Sequence, residues 1–273
     1  MPDLMSIIFP LDVAASTSFP VDGGRILQGA FLHWLKSHQP DVASRLHESN
    51  HMRPYTLSPL LGASACKKRR FYLKPDDEVC FRLTGFDATF NQQILEAARS
   101  IGHSPQPRDP HLRPVEIIMA PAAHPLAAAV NTQDLLGHLA AALQHKALRP
   151  DVCLQFVTPT CFMDDGASIP LPIPRMVFAG LANRWLMSAQ TPLPVHEGDA
   201  FLDAIHIASA KISTRPVDFG KYRRAGFIGS VRFALPVKAP MLYRLTLHLL
   251  ARLAFFTGVG SYTPVGMGQV RDG

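Results

Sequence analysis

Charge is scarce in this chain. Only 18% of its 273 residues are Asp, Glu, Lys or Arg, against a usual share of about 25%. Acids are the scarcer sign, 21 Asp+Glu against 27 Lys+Arg, which leaves a formal net charge of +6. Few charges beside 47% hydrophobic residues argue against intrinsic disorder. A positive excess with few acids to cancel it favours an anionic partner, without naming one. The four cysteines, Cys66, Cys80, Cys153 and Cys161, form no C-x-x-C pair, which argues against a zinc ribbon or redox dithiol and favours a reduced cytoplasm. Long apolar runs are also missing. The first residues carry Asp3 where a secretory leader would carry Lys or Arg. The most apolar late stretch, residues 241–256, is interrupted by Arg244, His248 and Arg252, so it is no membrane span. The expectation is a soluble, cytoplasmic protein that meets no membrane. Proline is the residue in excess, with 24 copies, above the norm of about 5%.

A strand–helix pattern occurs twice along the chain. Residues 6–13 read as a first strand, with Pro10 marking an edge or bulge. Ile26, Leu27, Ala30, Phe31, Trp34 and Leu35 then recur at i, i+3, i+4 spacing, which predicts a helix after Gly23-Gly24. A second short helix runs from Pro40 to His47. Strands are expected near 55–61, 71–73, 78–84 and 115–119, with a helix over 89–100. In the second half, DVCLQFVTPTCF reads as a strand, and IPLPIP leads into the helix RMVFAGLANRWLMS, since Pro suits a first helical turn. Strands near 204–212 and 226–233 and a helix over 240–256 complete it. Each half fits the strand–helix–strand–strand–helix–strand order of the ferredoxin-like motif. The fold expected is α+β, two tandem ferredoxin-like (RRM-like) domains over 1–147 and 148–273.

The chain closes on FFTGVGSYTPVGMGQVR, with Gly258, Gly260, Gly266 and Gly268. A dinucleotide-binding reading fails, because Thr263 stands where the third glycine belongs and no helix can follow. A phosphate-cradling P-loop fails for want of a following G-K-[S/T]. Two readings stay open. One is a helix cap at Gly258 with a tight turn before a short strand. The other is a loop whose exposed N–H groups meet phosphate oxygens.

The stretch TGVGSYTPVGMGQVR resembles the C-terminal glycine-rich signature of the CRISPR-associated repeat-processing endoribonucleases, in the repeat-associated mysterious protein (RAMP) superfamily. FVTPTCFMDDGASIPLPIPRMVFAGLANRW is similar to the family's strand, proline turn and helix ending in Arg-Trp. GFIGSVRFALP is similar to its next strand. LQGAFLHWL and LHESNHMRPYTLSPLLG resemble the helix, histidine and S-P-L strand of its first domain. Over residues 65–147 the likeness is one of general pattern. The resemblance implies a metal-independent, cofactor-free endoribonuclease with a glycine-rich RNA-binding loop, which matures guide RNA from CRISPR precursor transcripts. The 2′-OH attacks the adjacent phosphate and the 5′-oxygen leaves, giving a 2′,3′-cyclic phosphate and a 5′-OH. It implies repeat RNA and its crRNA product as partners, with other CRISPR effector subunits and a second copy of the chain as further candidates. A non-catalytic RNA-binding subunit of a CRISPR effector complex is the alternative.

Such a reaction needs a base, an acid and positive charge near the phosphate, and histidine suits the first two roles. His47 ends the short helix where the family places its usual catalytic histidine; without the resemblance it would read as a helix-terminal cation. His33 lies where related members carry a functional histidine, but its neighbours Trp34 and Leu35 also suit a packing role. His51 is a reserve. Arg53 stands where relatives carry a catalytic Lys, and Arg stabilises charge without acting as a base. Two basic runs, Lys67-Lys68-Arg69-Arg70 before Phe71 and Tyr72, and Lys221-Tyr222-Arg223-Arg224, combine cations with aromatics as single-stranded RNA recognition requires. Solvated hairpin turns would look the same. Arg244, His248 and Arg252 fall at i, i+4, i+8 on the last helix, either as a solvated face or as an RNA-facing stripe.

Overall fold

Apolar alternation and turn chemistry build the same sheet twice. The computed structural model describes residues 1–48, 52–98, 105–145, 148–189, 191–195 and 198–272. They form two compact units: Met1–Ala129 with Pro264–Gly266, and Val130–Thr263 with Met267–Gly273.

The first unit runs β1 (Leu4–Val13), β2 (Thr17–Pro20), α1 (Gly24–His38), α2 (Pro40–Glu48), β3 (Tyr55–Leu57), β4 (Cys66–Lys67), β5 (Arg70–Leu73), β6 (Val79–Gly85), α3 (Ala88–Ala97) and β7 (Leu112–Pro114), with β8 (Ala128–Val130) at its end. Its antiparallel sheet has the order β3-β6-β1-β7, with β8 also pairing β1. Leu27, Phe31 and Leu35 of α1 and Phe90 and Ile94 of α3 share one apolar core with Ile7, Phe9, Phe81 and Leu83 of the sheet. Phe9 and Phe81 stack at 4.8 Å. Asp87 starts α3 by accepting a hydrogen bond from Phe90 N at 2.7 Å, an N-cap of the usual kind.

The strand expected at 115–119 is displaced. The ladder beside β1 is Leu112–Pro114, and only a single bridge joins Ile8 to Ile118. Val115 N still donates to Pro10 O, but Pro10 has no N–H to return the bond, so pairing stops there. Sequence reading also misses β2 and β4, which with β5 make a separate three-stranded sheet, β2-β5-β4. At the β4–β5 turn Lys68 and Arg69 have φ of 48° and 59°. Two left-handed residues make the tight hairpin turn that Asn-Gly normally serves, and no such signal marks Lys-Arg.

The second unit runs α4 (Thr132–Gln144), β9 (Asp151–Thr160), β10 (Phe162–Asp164), β11 (Ala167–Ile169), α5 (Pro174–Ser188), α6 (Gly198–Ala204), β12 (His206–Asp218), β13 (Arg223–Ala234), α7 (Met241–Thr257) and β14 (Val270–Asp272). The sheet order β12-β13-β9-β14 repeats that of the first unit when strands are matched in sequence order. Both are ferredoxin-like, so the chain is the tandem α+β protein expected. On β9, Val152, Leu154, Phe156, Thr158 and Thr160 are buried while alternate residues are not, the period of two that one covered face dictates. Phe178 of α5 meets Phe233 of β13 edge-on at 5.1 Å. No described helix is long and apolar enough to cross a membrane.

Candidate functional site

The glycine-rich tail begins as a helix cap. Gly258 ends α7 at φ 65°, its N–H donating to Ala254 O at 2.9 Å. Gly260, Gly266 and Gly268 also have positive φ, so each fits a backbone that L side chains avoid. Space is short as well: a Cβ on Gly260 would lie 2.3 Å from Cys161 O, and one on Gly268 2.1 Å from Val259 O. The tail is stitched to β9 and the residue after it by Ser261 N to Cys161 O (2.8 Å), Gly268 N to Pro159 O (3.0 Å) and Gln269 N to Thr158 Oγ1 (2.9 Å). A short 3₁₀ turn, Thr263–Val265, precedes β14. The cap, turn and strand of the structural reading are therefore all present. Among the described residues, the N–H groups of Gly260 and Tyr262 meet no acceptor.

Arg184 of α5 holds this tail from behind. It is 5% exposed and donates to the carbonyls of Thr257 (2.9 Å), Gly258 and Gly260 (2.6 Å). These include the carbonyls at the C-terminus of α7, the negative end of its dipole, where a cation belongs. Burial lowers its pKa to about 10, which leaves the guanidinium charged at neutral pH. Sequence reading misses Arg184, although a signal exists: it lies three residues after Leu181 and four before Ser188, inside the helix face that is buried.

Around Tyr262 of the tail the second basic run assembles. Tyr262 packs against Phe219 at 5.3 Å, and Phe219 against Tyr222 at 5.3 Å. Arg224 lies 5.1 Å from the Tyr222 ring centre and donates to the Tyr262 hydroxyl at 3.3 Å. Tyr222 is exposed, as are Lys221 and Arg223, the latter bonded to Asp218 at 3.2 Å. Aromatic faces beside guanidinium groups provide the stacking and charge that unpaired bases use.

The other expected binding residues are placed differently. Lys67, Lys68, Arg69 and Arg70 are all exposed at the β4–β5 hairpin, with Arg69 paired to Asp22 and Arg70 bonded to Ser18. On α7 the stripe divides. Arg244 donates to Val237 O at 2.8 Å, while His248 and Arg252 line a cavity with Arg149 and Arg232, two arginines that sequence reading did not single out.

The expected proton-transfer residues lie in the first unit. His33 is exposed on α1. His47 is on α2, its side chain outside the described residues, as is all of His51. Arg53 donates to the Tyr55 hydroxyl at 3.4 Å, and Gln28 Nε2 donates to the same oxygen at 3.4 Å. Burial raises the Tyr55 pKa above its ordinary 10.0, with the Arg53 and Gln28 hydrogen bonds and the Arg53 charge pulling against it. Among the described residues no group of three His, Cys, Asp or Glu side chains could hold a metal ion.

Comparison with known proteins gives this arrangement its context. Residues 154–270 match the family described as CRISPR-associated endoribonuclease Cas6. Two curated proteins of that name from Mycobacterium tuberculosis strains are each 28% identical over 120 residues, which is 43% of this chain. The match spans only 37% of their length. A Thermus thermophilus Cas6 structure is similar over 99% of this chain and 98% of its own, at 24% identity and a TM-score of 0.74. A product complex of the same Cas6 covers 99% of both chains at 28% identity and a TM-score of 0.75. The resemblance to this family is borne out, in sequence over 154–270 and in fold along nearly the whole chain.

Proposed function

We propose that this chain cleaves CRISPR precursor RNA within the repeat by metal-independent transesterification and stays bound to its product. The observation that carries the reading is the reach of the family match. Residues 154–270 include Arg184, the Phe219–Tyr222–Arg224 group and the glycine-rich tail, the parts whose geometry suits a single RNA strand. In this reading bases of the repeat stack on Tyr222 and Tyr262, and phosphate oxygens meet the open N–H groups of the tail together with Lys221, Arg223 and Arg224.

His47 is the principal acid or base and His33 assists it. One imidazole removes the 2′-OH proton as that oxygen attacks phosphorus; an imidazolium protonates the departing 5′-oxygen. Arg53 stabilises the added negative charge. Arg cannot exchange protons near neutral pH, so the proton traffic falls to the histidines. The products carry a 2′,3′-cyclic phosphate and a 5′-OH. The first domain, 1–147, supplies this chemistry and the second, 148–273, supplies the grip.

The test is incubation of the purified protein with its repeat RNA in EDTA. Cleavage should persist in the chelator and be lost in His47→Ala, with RNA still bound. Cleavage abolished by EDTA, or unchanged in His47→Ala, would sink the mechanism. Tight binding by the wild type with no cleavage after long incubation would select the non-catalytic subunit instead.

A further inference from the structure

The basic stripe of α7 leads to a second basic site. A cavity of about 330 Å³ is lined by Arg149, Asp151, Cys153, Arg232, His248 and Arg252, among others. Asp151 is nearly buried, its side chain 13% exposed, and it accepts from Arg149 Nε at 3.3 Å and from Arg232 Nη1. His248 Nε2 lies 2.9 Å from Arg149 O, so the imidazole N–H secures the main chain that carries Arg149. Three arginines thus line the cavity with one carboxylate, and two of them pair with it. Asp151 orients two of the arginine forks without neutralising the set. Arginine forks match the paired oxygens of a phosphate group, and the volume sits at the low end for ligand clefts.

We infer that this cavity binds a backbone phosphate of the same RNA that the tail engages, which rests on the reading above. The spacing makes the inference specific. The cavity lies at the start of β9, whereas Gly260 and Ser261 touch Cys161, just past its end. Ten residues of strand at roughly 3.3 Å each put about 30 Å between those two ends, whereas along α7 Arg252 stands six residues, about 9 Å, before Gly258. At roughly 3.4 Å per stacked nucleotide the gap spans about three to nine nucleotides of one strand. The RNA held at the tail therefore reaches the cavity only if it extends that far on the correct side.

The experiment measures the affinity of the wild type and of Arg149→Gln/Arg252→Gln for three RNAs. One is the full repeat. The other two are each cut back to two nucleotides on one side of the cleavage site. Both arginines are exposed, and circular dichroism checks that the double variant is folded. On the full repeat the variant should bind about tenfold more weakly, with a shallower salt dependence by about one to two phosphate contacts. On one of the shortened RNAs the two proteins should bind alike. A loss under twofold on the full repeat overturns the inference, as does the same loss on all three RNAs, which would mean diffuse charge attraction. Adenosine monophosphate bound by the wild type and not by the variant, with RNA affinity equal, would reassign the cavity to free nucleotides. A wild type that binds none of the RNAs removes the repeat-RNA reading itself.

Discussion

The two units share a strand order and differ in what they do with their basic hairpins. In the first unit the β4–β5 hairpin spends its cations internally: Arg69 pairs with Asp22 and Arg70 bonds to Ser18. In the second, the β12–β13 hairpin places Arg224 against Tyr222 and Tyr262, beside a glycine-rich tail. Runs of three or four basic residues beside aromatics look alike in sequence, and only the neighbouring elements separate them. The same division extends to chemistry. The histidine and Arg53 candidates belong to the first unit; the buried arginine, the aromatic group and the tail belong to the second.

If that division is real, rate and affinity should part along it. The largest effect expected is on rate: His47→Ala should lower the single-turnover cleavage constant by roughly 10²–10⁴-fold with the Kd for repeat RNA unmoved. Equal losses in both would break the division. Next is Arg184→Gln, which leaves buried carbonyls of the α7 end short of donors. Denaturant unfolding should show a loss of about 3 kcal/mol, and Arg184→Lys should recover only part of it. Tyr222→Ala should weaken RNA binding by about 1–3 kcal/mol if a base stacks there, measured by titration with bound-state cleavage rate unchanged. The smallest effect concerns the first hairpin. Lys68→Asn with Arg69→Gly relieves two left-handed backbones and should stabilise the fold by about 1 kcal/mol, seen as a raised unfolding midpoint. Cleavage lost with that stabilisation would show that the strained turn serves the RNA after all.

Much of the architecture is legible in the chain because periodicity reports burial. α1, α5, α7 and β9 each carry an unbroken apolar rhythm, and all lie near their expected places. Short strands lack that signal: β2 and β4 span four and two residues, too few for alternation to register. The Lys68-Arg69 turn is illegible for another reason, since it breaks the residue preference that would announce it. Asp165-Gly166 keeps the preference, with φ of 42° and 75°, and reads as a turn at once. In the site, exposed cations announce themselves by composition, whereas Arg184 is masked by the apolar residues around it. The cavity at Arg149 and Arg232 draws on three elements far apart in the chain, and no local pattern encodes that meeting.

Gly24 has a further consequence, for the order in which the chain folds. A Cβ there would lie 2.0 Å from Val265 O, and Pro264–Gly266 complete the first unit. The partner of α1's first turn is therefore made roughly 240 residues later, a separation that slows closure. During synthesis the N-terminal unit waits, unfinished, until nearly all of the second has emerged. A ribosome stalled before residue 264 would expose an N-terminal half lacking its last contact, and protease sensitivity at the start of α1 would report it.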